Sequence, residues 1–392
     1  MRRWGEDTRA WQALAATVVT IVLAAGARTS LAAFIRPIET DLGLERTVLS
    51  TAGALTVLTY GLAQPLVGAL AARFGARQVM FGGVVLTALG GIGVATASDP
   101  WQLYVFAGVV PGLAFAGASS VPGTVLVAGW FIGRLGLATG IMSAAIPAGQ
   151  SIFVPLATAL IPVLGWRATY VVLGALVAVI GVPLLAWLVH EPPKRTEAGV
   201  EQARRPGLDI WLVGVGYFAC GFSDQFVSLH FVALASDQGV PALLAAGLLS
   251  ALLVFGIVGS VASGPLADRI AAKYMLAGLY FTRALTAPLL LFASAGWPLA
   301  VFAVVFGLTY IANQAPGARL ARDRYGIRAV GPLMGGIGLA HQVGGSIGVA
   351  LGGYSVVELG GYGPAIAVVA VVILVGALLQ FAIPSRSLLP AS

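Results

Sequence analysis

The sequence predicts an all-α membrane protein, with twelve transmembrane helices in two pseudo-symmetric six-helix bundles. Hydrophobic residues make up 58% of its 392 residues and charged residues only 9%, whereas a soluble domain usually holds about 25% charged residues. Apolar stretches close to the roughly 20 residues that a spanning helix needs recur along the whole chain. The two halves also repeat each other at an offset of 196 residues, half of the chain length. These observations exclude a large soluble enzyme.

Short polar connections separate the apolar stretches, so their limits can be placed in order. The first stretch has full spanning length, which predicts a transmembrane helix and not a cleaved signal peptide. Glycine and proline occur inside these stretches, where neighbouring helices can satisfy the freed backbone groups. The twelve spans are expected at residues 11–34, 48–71, 78–97, 101–128, 136–162, 168–189, 209–233, 242–266, 274–295, 297–318, 330–353 and 363–384.

One longer polar segment, residues 191–208, divides the chain. It is expected to be a cytoplasmic linker between an N-terminal six-helix bundle at 1–190 and a C-terminal six-helix bundle at 209–392. A cytoplasmic N-terminus places seventeen of the 22 Lys and Arg residues inside and three outside. By the positive-inside rule, both termini are therefore expected in the cytoplasm. The net charge of +7 reflects this topology and does not indicate a nucleic-acid partner.

A polar, basic loop follows the second helix of each half. The second copy begins Gly264-Pro-Leu-Ala-Asp268-Arg269, and the first copy, 196 residues earlier, runs from Gly68 to Arg77. The pattern resembles the signature loop of the major facilitator superfamily of transporters. The resemblance implies that these loops gate the cytoplasmic side of the protein. The residues expected to take part in gating are Arg73, Gly75, Arg77, Gly264, Asp268 and Arg269.

Two expectations concern the acids of these loops. Asp268 is expected near the N-terminus of the eleventh helix, because the positive end of a helix dipole favours a carboxylate. The first copy has Ala72 where the family usually has an acid. Its latch is therefore expected to be weakened.

Further phrases are similar to bacterial monocarboxylate porters and to oxalate–formate-antiporter-like members of the superfamily. They include the phrases that begin at Tyr60 (YGLAQP), Gly165 (GWR) and His341 (HQVG). The animal monocarboxylate transporters carry an arginine in the eighth helix, four residues before the loop glycine. That position is Ser260 in this sequence, so the carboxylate-binding arginine of those proteins cannot be carried over.

Three residues with fixed charge fall well inside predicted helices: Arg28, Asp224 and Arg283. Each costs about 2.5–3.5 kcal/mol at a helix centre on insertion scales and needs a partner or a function. Arg28 and Asp224 lie 196 residues apart, in equivalent places of the first and seventh helices. Arg28 could present its planar fork to a carboxylate, and Asp224 is the candidate proton carrier. Alternatively, the two form structural ties with each other or with backbone. Arg283 is expected to be structural.

Uncharged polar side chains in helices that the resemblance places at the cavity complete the predicted site. Such groups also hold helices together, so both interpretations stay open. The residues expected to bind substrate are Arg28, Gln150, Asp224, Tyr310, Asn313, His341 and Gln342.

The resemblance and the charges predict a secondary active transporter of a small organic solute, an organic anion such as a carboxylate in particular, working by alternating access. Proton coupling through Asp224 is a further hypothesis. The alternatives are a multidrug exporter of the same fold and a transport-inactive sensor or assembly factor. No P-loop, H-E-x-x-H or G-x-S-x-G motif occurs, so no enzyme activity, catalytic residue, cofactor or metal is expected. The protein is expected to lie in a bacterial cytoplasmic (inner) membrane and to be a monomer.

Overall fold

The computed structural model describes residues 8–44, 46–131, 134–192 and 207–384, and their regular structure is helical, without a strand. The helices of the first part are α1 (Thr8–Thr29), α2 (Leu31–Leu42), α3 (Arg46–Phe74), α4 (Ala76–Ala95), α5 (Pro100–Leu103), a π-helix (Tyr104–Val109), α6 (Val110–Gly117), α7 (Ser120–Trp130), α8 (Leu135–Ser143) and α9 (Ala145–Trp187). The helices of the second part are α10 (Leu208–Asp237), α11 (Ala242–Ala267), α12 (Ala272–Thr286), a 3-10 helix (Ala287–Ala295), α13 (Trp297–Thr309), α14 (Gln314–Tyr325), α15 (Ile327–Glu358) and α16 (Gly363–Phe381).

Ten of these helical segments, within the described ranges, are long and apolar enough to cross a membrane. One of the ten, Leu135–Trp187, contains a kink at Gly165, whose φ of 77° lies outside the helical region. It therefore holds two spans. Helix α15, with 32 residues, is also long enough to span, which gives the twelve predicted helices.

Several predicted helices are interrupted where the sequence indicated a continuous run. The first breaks at Ser30, and the fourth contains the π-helix. The ninth ends in a 3-10 helix, and the tenth is broken between Thr309 and Gln314. Hydropathy averaged over a whole span does not reveal these breaks, because each one is only a few residues long.

The chain forms two compact units. The first comprises residues 1–132, 145–196 and 330–335, and the second comprises residues 133–144, 197–329 and 336–392. The short segments 133–144 and 330–335 thus each belong to the unit built mostly from the opposite half of the sequence. The predicted boundary at 191–208 stays a prediction, since residues 193–206 lie outside the described ranges.

Close helix packing in both units relies on small residues. In the first unit, a Cβ at Gly149 of α9 would overlap the carbonyl oxygen of Val22 in α1. In the second unit, a Cβ at Gly344 of α15 would overlap the carbonyl oxygen of Phe218 in α10. Contacts of this kind hold helices together in lipid, where burial of apolar surface supplies no driving force.

Polar contacts join helix ends within each unit. In the first unit, Asp41 accepts a hydrogen bond from Trp166 Nε1 at 3.1 Å and forms an ion pair with Arg167. Arg167, followed by the indole of Trp166, lowers the pKa of Asp41 below its ordinary value. In the second unit, the Gln238 side chain bonds to the backbone of Leu290 at 2.8 Å and of Ala293 at 2.9 Å.

We expect Gly149→Ala to destabilise the protein by about 1–3 kcal/mol, because the added methyl group forces α1 and α9 apart. Gly82→Ala is the matched control: Gly82 lies in α4 of the same unit, and its added methyl group meets nothing within 4 Å. Thermal unfolding of both purified variants in detergent measures the difference. Equal melting temperatures for the two variants would contradict this account of the α1–α9 contact.

Candidate functional site

The second unit contains a buried polar cluster built around Arg283 of α12. The side chain of Arg283 is fully buried, and Cζ lies 5.0 Å from the ring centroid of Phe306. The rest of the cluster comes from α10, α13, α15 and the break between α13 and α14. A guanidinium with five donors and no acceptor needs several oxygen partners in such a place, and the cluster provides them.

The first set of partners is the broken helix. α13 ends at Thr309 and leaves carbonyl groups without intrahelical donors, as every helix end does. Arg283 Nη2 donates to the carbonyl of Tyr310 at 2.6 Å and to that of Thr309, while Nε donates to Thr309 Oγ1 at 3.1 Å. A positive charge at a helix C-terminus is also favoured by the helix dipole. Arg283 therefore caps the interrupted helix.

The second partner is the acid of α10. Arg283 Nη1 lies 2.8 Å from Asp224 Oδ1, and both side chains are nearly or fully buried. The same nitrogen donates to Cys220 Sγ at 2.9 Å. Asp224 thus pairs with Arg283, and Arg28 belongs to the other unit.

The second carboxylate oxygen of Asp224 faces α15. Oδ2 lies 3.3 Å from His341 Nε2 and accepts a hydrogen bond from Cys220 Sγ at 3.3 Å. The His341 side chain is 18% exposed, against 6% for Asp224. Asp224 therefore joins the buried guanidinium of Arg283 to a partly exposed imidazole.

The remaining polar side chains that the sequence indicated occupy different surroundings. Buried Asn313 lies in the helix break, where its amide donates to Cys220 Sγ and to Tyr280 Oη, both at 3.4 Å. The Tyr310 hydroxyl lies 3.2 Å from Ser228 Oγ. Gln342 is half-buried beside His341, and Gln150 is half-buried in α9 of the first unit. The structure thus brings Asp224, Asn313 and His341 together around Arg283, and Gln150 is not part of this cluster.

Three side chains of the cluster carry metal-ligating atoms. In the described part of the chain, Cys220, Asp224 and His341 form the group that could hold a metal ion, with ligand atoms all within 4.8 Å of one another. Sulfur, oxygen and nitrogen together suit Zn²⁺. However, Arg283 donates to both the sulfur and the carboxylate. Its positive charge occupies the position that a cation would take, so this donor set disfavours a metal.

Arg28 lies in the first unit, near the end of α1. Its Cζ is 4.6 Å from the ring centroid of Phe115 and 5.4 Å from that of Tyr60, a cation–π arrangement. Arg28 and Phe115 also line a small cavity of about 40 Å³, whose other walls include Tyr170 and are mostly apolar. The residue as a whole is half-buried, and the two aromatic rings lie against its guanidinium.

Asp268 makes a different contact from the one that the sequence predicted. Its Oδ1 accepts a hydrogen bond from the backbone N–H of Gly136 at 2.9 Å, and Oδ2 accepts one from Leu137 at 3.2 Å. These amides open α8, the start of the fifth helix, whereas the eleventh was expected. The physical principle holds, because the carboxylate satisfies free amides at a helix N-terminus. The prediction named the wrong helix.

Close approach of α8 and α11 makes this contact possible. A Cβ at Gly136 would lie 2.8 Å from Asp268 Oδ1, so a larger residue would displace the carboxylate. Further along the two helices, Ser260 is fully buried and donates to the carbonyl of Gly140 at 2.8 Å. The serine that stands at the arginine position of the animal transporters is therefore a helix-packing residue.

The first loop is held by another acid. Glu191 accepts a hydrogen bond from the Arg77 backbone N–H at 2.8 Å, and the Arg77 side chain donates to the carbonyl of Ala186 at 2.7 Å. Gly75, with a φ of 102°, forms the turn that precedes α4. Sequence reasoning missed Glu191, because it lies 114 residues from Arg77. Arg73 places its Cζ 5.1 Å from the Phe74 ring.

The loss of the acid at Ala72 is accompanied by a second change, at the helix end that such an acid would contact. At the offset of 196, the residue equivalent to the donor Gly136 is Pro332, which has no backbone N–H. α15 also begins at Ile327, four residues before the position equivalent to the start of α8. In place of a hydrogen bond, the backbones of Gly68 and Gly331 approach closely.

Comparisons with known proteins agree with this architecture. The family model of the Major Facilitator Superfamily matches residues 17–213 and 213–388. The chain is 26% identical to an uncharacterised MFS-type transporter, YcxA, of Bacillus subtilis (strain 168), over 88% of this chain and 87% of the relative. It is 28% identical to monocarboxylate transporter 3 of Rattus norvegicus, over 78% of this chain and 65% of the relative.

A solved structure has the same fold. The proton:xylose symporter XylE, bound to 6-bromo-6-deoxy-D-glucose, superposes with a TM-score of 0.78 over 96% of both chains at 12% identity. An identity this low supports the fold alone. The likeness confirms the predicted twelve-helix architecture.

We expect Asp268→Asn to cost about 1.5–3 kcal/mol, because it removes the charge from hydrogen bonds to two backbone amides. Hydrogen–deuterium exchange of the peptide that contains Gly136 and Leu137 should become faster. Asp323→Asn is the matched control, since the Asp323 side chain is 55% exposed and pairs with Arg319 on one helix. Such surface pairs contribute about 0.3–0.5 kcal/mol. Unchanged exchange in Asp268→Asn would contradict the contact.

Proposed function

This chain belongs to the Major Facilitator Superfamily, and from that premise we propose that it is a secondary active transporter of a small organic anion, a carboxylate in particular. It moves this solute by alternating access across a bacterial cytoplasmic membrane, as a monomer with both termini inside. The observation that carries the proposal is Arg28, a half-buried arginine against two aromatic rings in a membrane span. The similarity to a monocarboxylate transporter supports the same substrate class.

The surroundings of Arg28 suit an anion with an apolar body. A guanidinium can bind both oxygens of a carboxylate in one plane, and the rings of Tyr60 and Phe115 limit the orientations that the guanidinium can adopt. The adjoining cavity is mostly apolar, so it favours a hydrocarbon group over a second charge. Ser260 is engaged in helix packing, which leaves Arg28 as the proposed carboxylate ligand.

The Asp268 contact supplies the proposed gate. Its two hydrogen bonds tie the end of α11 to the start of α8. We assign this contact to the state in which the cytoplasmic side is closed. Opening toward the cytoplasm requires the carboxylate to leave these amides, so the bonds contribute to the balance between states.

The cluster around Asp224 is the proposed coupling site. Arg283 holds one carboxylate oxygen, and His341, the more exposed group, faces the other. We propose that a proton enters through His341 and is retained by Asp224 during one half of the cycle.

The test of the substrate class is transport of labelled carboxylates into proteoliposomes. We expect Arg28→Lys to raise KM at least tenfold, because lysine keeps the charge but loses the planar fork. Arg9→Lys is the control, since Arg9 is an exposed residue at the start of the same helix. Normal KM in both Arg28→Lys and Arg28→Gln would remove the anion assignment. Flux of neutral or cationic drugs alone would favour an exporter, and absence of any flux would favour a sensor.

For coupling, we expect His341→Gln to abolish accumulation driven by a proton gradient while substrate exchange continues. Asp224→Asn should do the same if it folds, but removing one partner of a buried ion pair typically costs about 3–5 kcal/mol. The partly exposed His341 therefore provides the safer variant. Ser346→Ala, one turn further along α15 at an exposed position, is the control. Proton-driven accumulation that persists in both His341→Gln and Asp224→Asn would exclude this cluster from coupling.

A further inference from the structure

A second charged cavity lies in the second unit, away from Arg28 and Asp224. It has a volume of about 270 Å³ and lies where α11 ends, α12 begins and α14 ends. Four of its lining side chains are basic and one, Asp323, is acidic. The basic residues are Arg269, Lys273, Arg319 and Arg324.

Two of the four cations are fixed in place by protein partners. Arg319 Nε lies 3.2 Å from Asp323 Oδ2, and the guanidinium donates to the carbonyl of Ala267. Arg324 Nη1 lies 2.8 Å from Asp209 Oδ2, and its other nitrogen donates to the carbonyl of Pro384. Such anchoring lowers the entropic cost of binding a ligand, because the side chains are already ordered.

The described lining of the cavity is mainly basic, and acidic neighbours balance part of this charge. Asp209 and Asp268 contact the two anchored arginines from outside the lining, Asp268 at 3.9 Å from Arg319. The other two basic residues lie where α12 begins: Arg269 precedes the helix, and Lys273 is its second residue.

The start of α12 adds a second attraction for an anion. This 15-residue helix begins at Ala272, and its N-cap residue, Ala271, makes no side-chain cap hydrogen bond. Both alanines line the cavity. The amides of Ala272 and Lys273 and the positive end of the helix dipole are therefore presented to it, whereas the Tyr274 amide donates to the carbonyl of Ala271. Such an arrangement suits phosphate groups.

The rim of the cavity is apolar and exposed. Ile270 is 42% exposed and Tyr274 is 54% exposed, and both line the cavity. The Tyr274 ring lies 6.3 Å from that of Phe381, which is 52% exposed on α16. A small soluble anion would not contact these apolar side chains, whereas the acyl chains of a lipid can pack against them.

We propose that this cavity binds the phosphate group of an anionic phospholipid, whose acyl chains lie along Ile270, Tyr274 and Phe381. Arg269, Lys273 and the first-turn amides of α12 contact the phosphate, and the anchored Arg319 and Arg324 form the opposite wall. The cytoplasmic face, where positive-inside topology puts this loop, is the leaflet whose anionic lipids attract basic segments. The site is separate from the proposed substrate site and does not depend on the identity of the substrate.

The test compares full-length protein with the double variant Arg269→Gln/Lys273→Gln. The purified protein is placed in nanodiscs of phosphatidylcholine with increasing phosphatidylglycerol, and bound phosphatidylglycerol is counted by native mass spectrometry after release into detergent. We expect the double variant to bind phosphatidylglycerol about 30-fold more weakly, given roughly fivefold per surface charge. The charge-matched control Arg9→Gln/Arg328→Gln should bind like the unmodified protein.

A second arm distinguishes a lipid from a soluble anion. Melting temperatures are measured in detergent with phosphatidylglycerol, with phosphatidylcholine or with inorganic phosphate. Protection by phosphatidylglycerol alone, lost in the Arg269→Gln/Lys273→Gln variant, supports the proposal. Equal protection by inorganic phosphate would overturn the lipid assignment. Equal phosphatidylglycerol binding by the two double variants would overturn the site.

Discussion

The ion pair between Arg283 and Asp224 is the interaction on which the second unit most depends. Arg283 is fully buried, so its charge must be balanced by the protein. The carboxylate of Asp224, the sulfur of Cys220 and the carbonyls at the end of α13 together provide that balance. Removal of the arginine would leave both a buried acid and an uncapped helix end. The broken tenth helix and the charge on α12 are therefore one feature, since neither is stable without the other.

The same physical rule recurs at the helix ends. Asp268 satisfies the opening amides of α8, Glu191 binds the second amide of α4, and Arg283 satisfies the closing carbonyls of α13. In each place a charged side chain that is distant in sequence completes the backbone hydrogen bonds of a helix end. A chain with only 9% charged residues thus uses several of them where helices begin or stop. Residues with this role hold the helices in register, so a transport cycle that separates helix ends must break such contacts and make them again.

Much of the fold could be predicted from the sequence, because the spans follow from local hydropathy and the halves from their repeat. The same repeat did not indicate which charged residues pair with each other. Arg28 and Asp224 occupy equivalent positions, which suggested a common site, but the partner of Asp224 is Arg283, 59 residues further along the chain. No local pattern indicates such a distant contact. The break after Thr309 was equally hidden, because polar residues such as Asn313 also occur inside continuous membrane helices. The donor helix for Asp268 could not be inferred, because every helix N-terminus offers similar amides.

The packing of Gly68 against Gly331 has a consequence for how the two halves can diverge. For an acid introduced at Ala72, the position equivalent to the donor Gly136 is Pro332, which has no backbone N–H. The neighbouring amides are already used inside α15, because that helix begins at Ile327. Recovery of a hydrogen-bonded contact requires a new acid, the loss of the proline and a later helix start. The asymmetry between the halves therefore rests on three separate features of the chain, and no single substitution removes it.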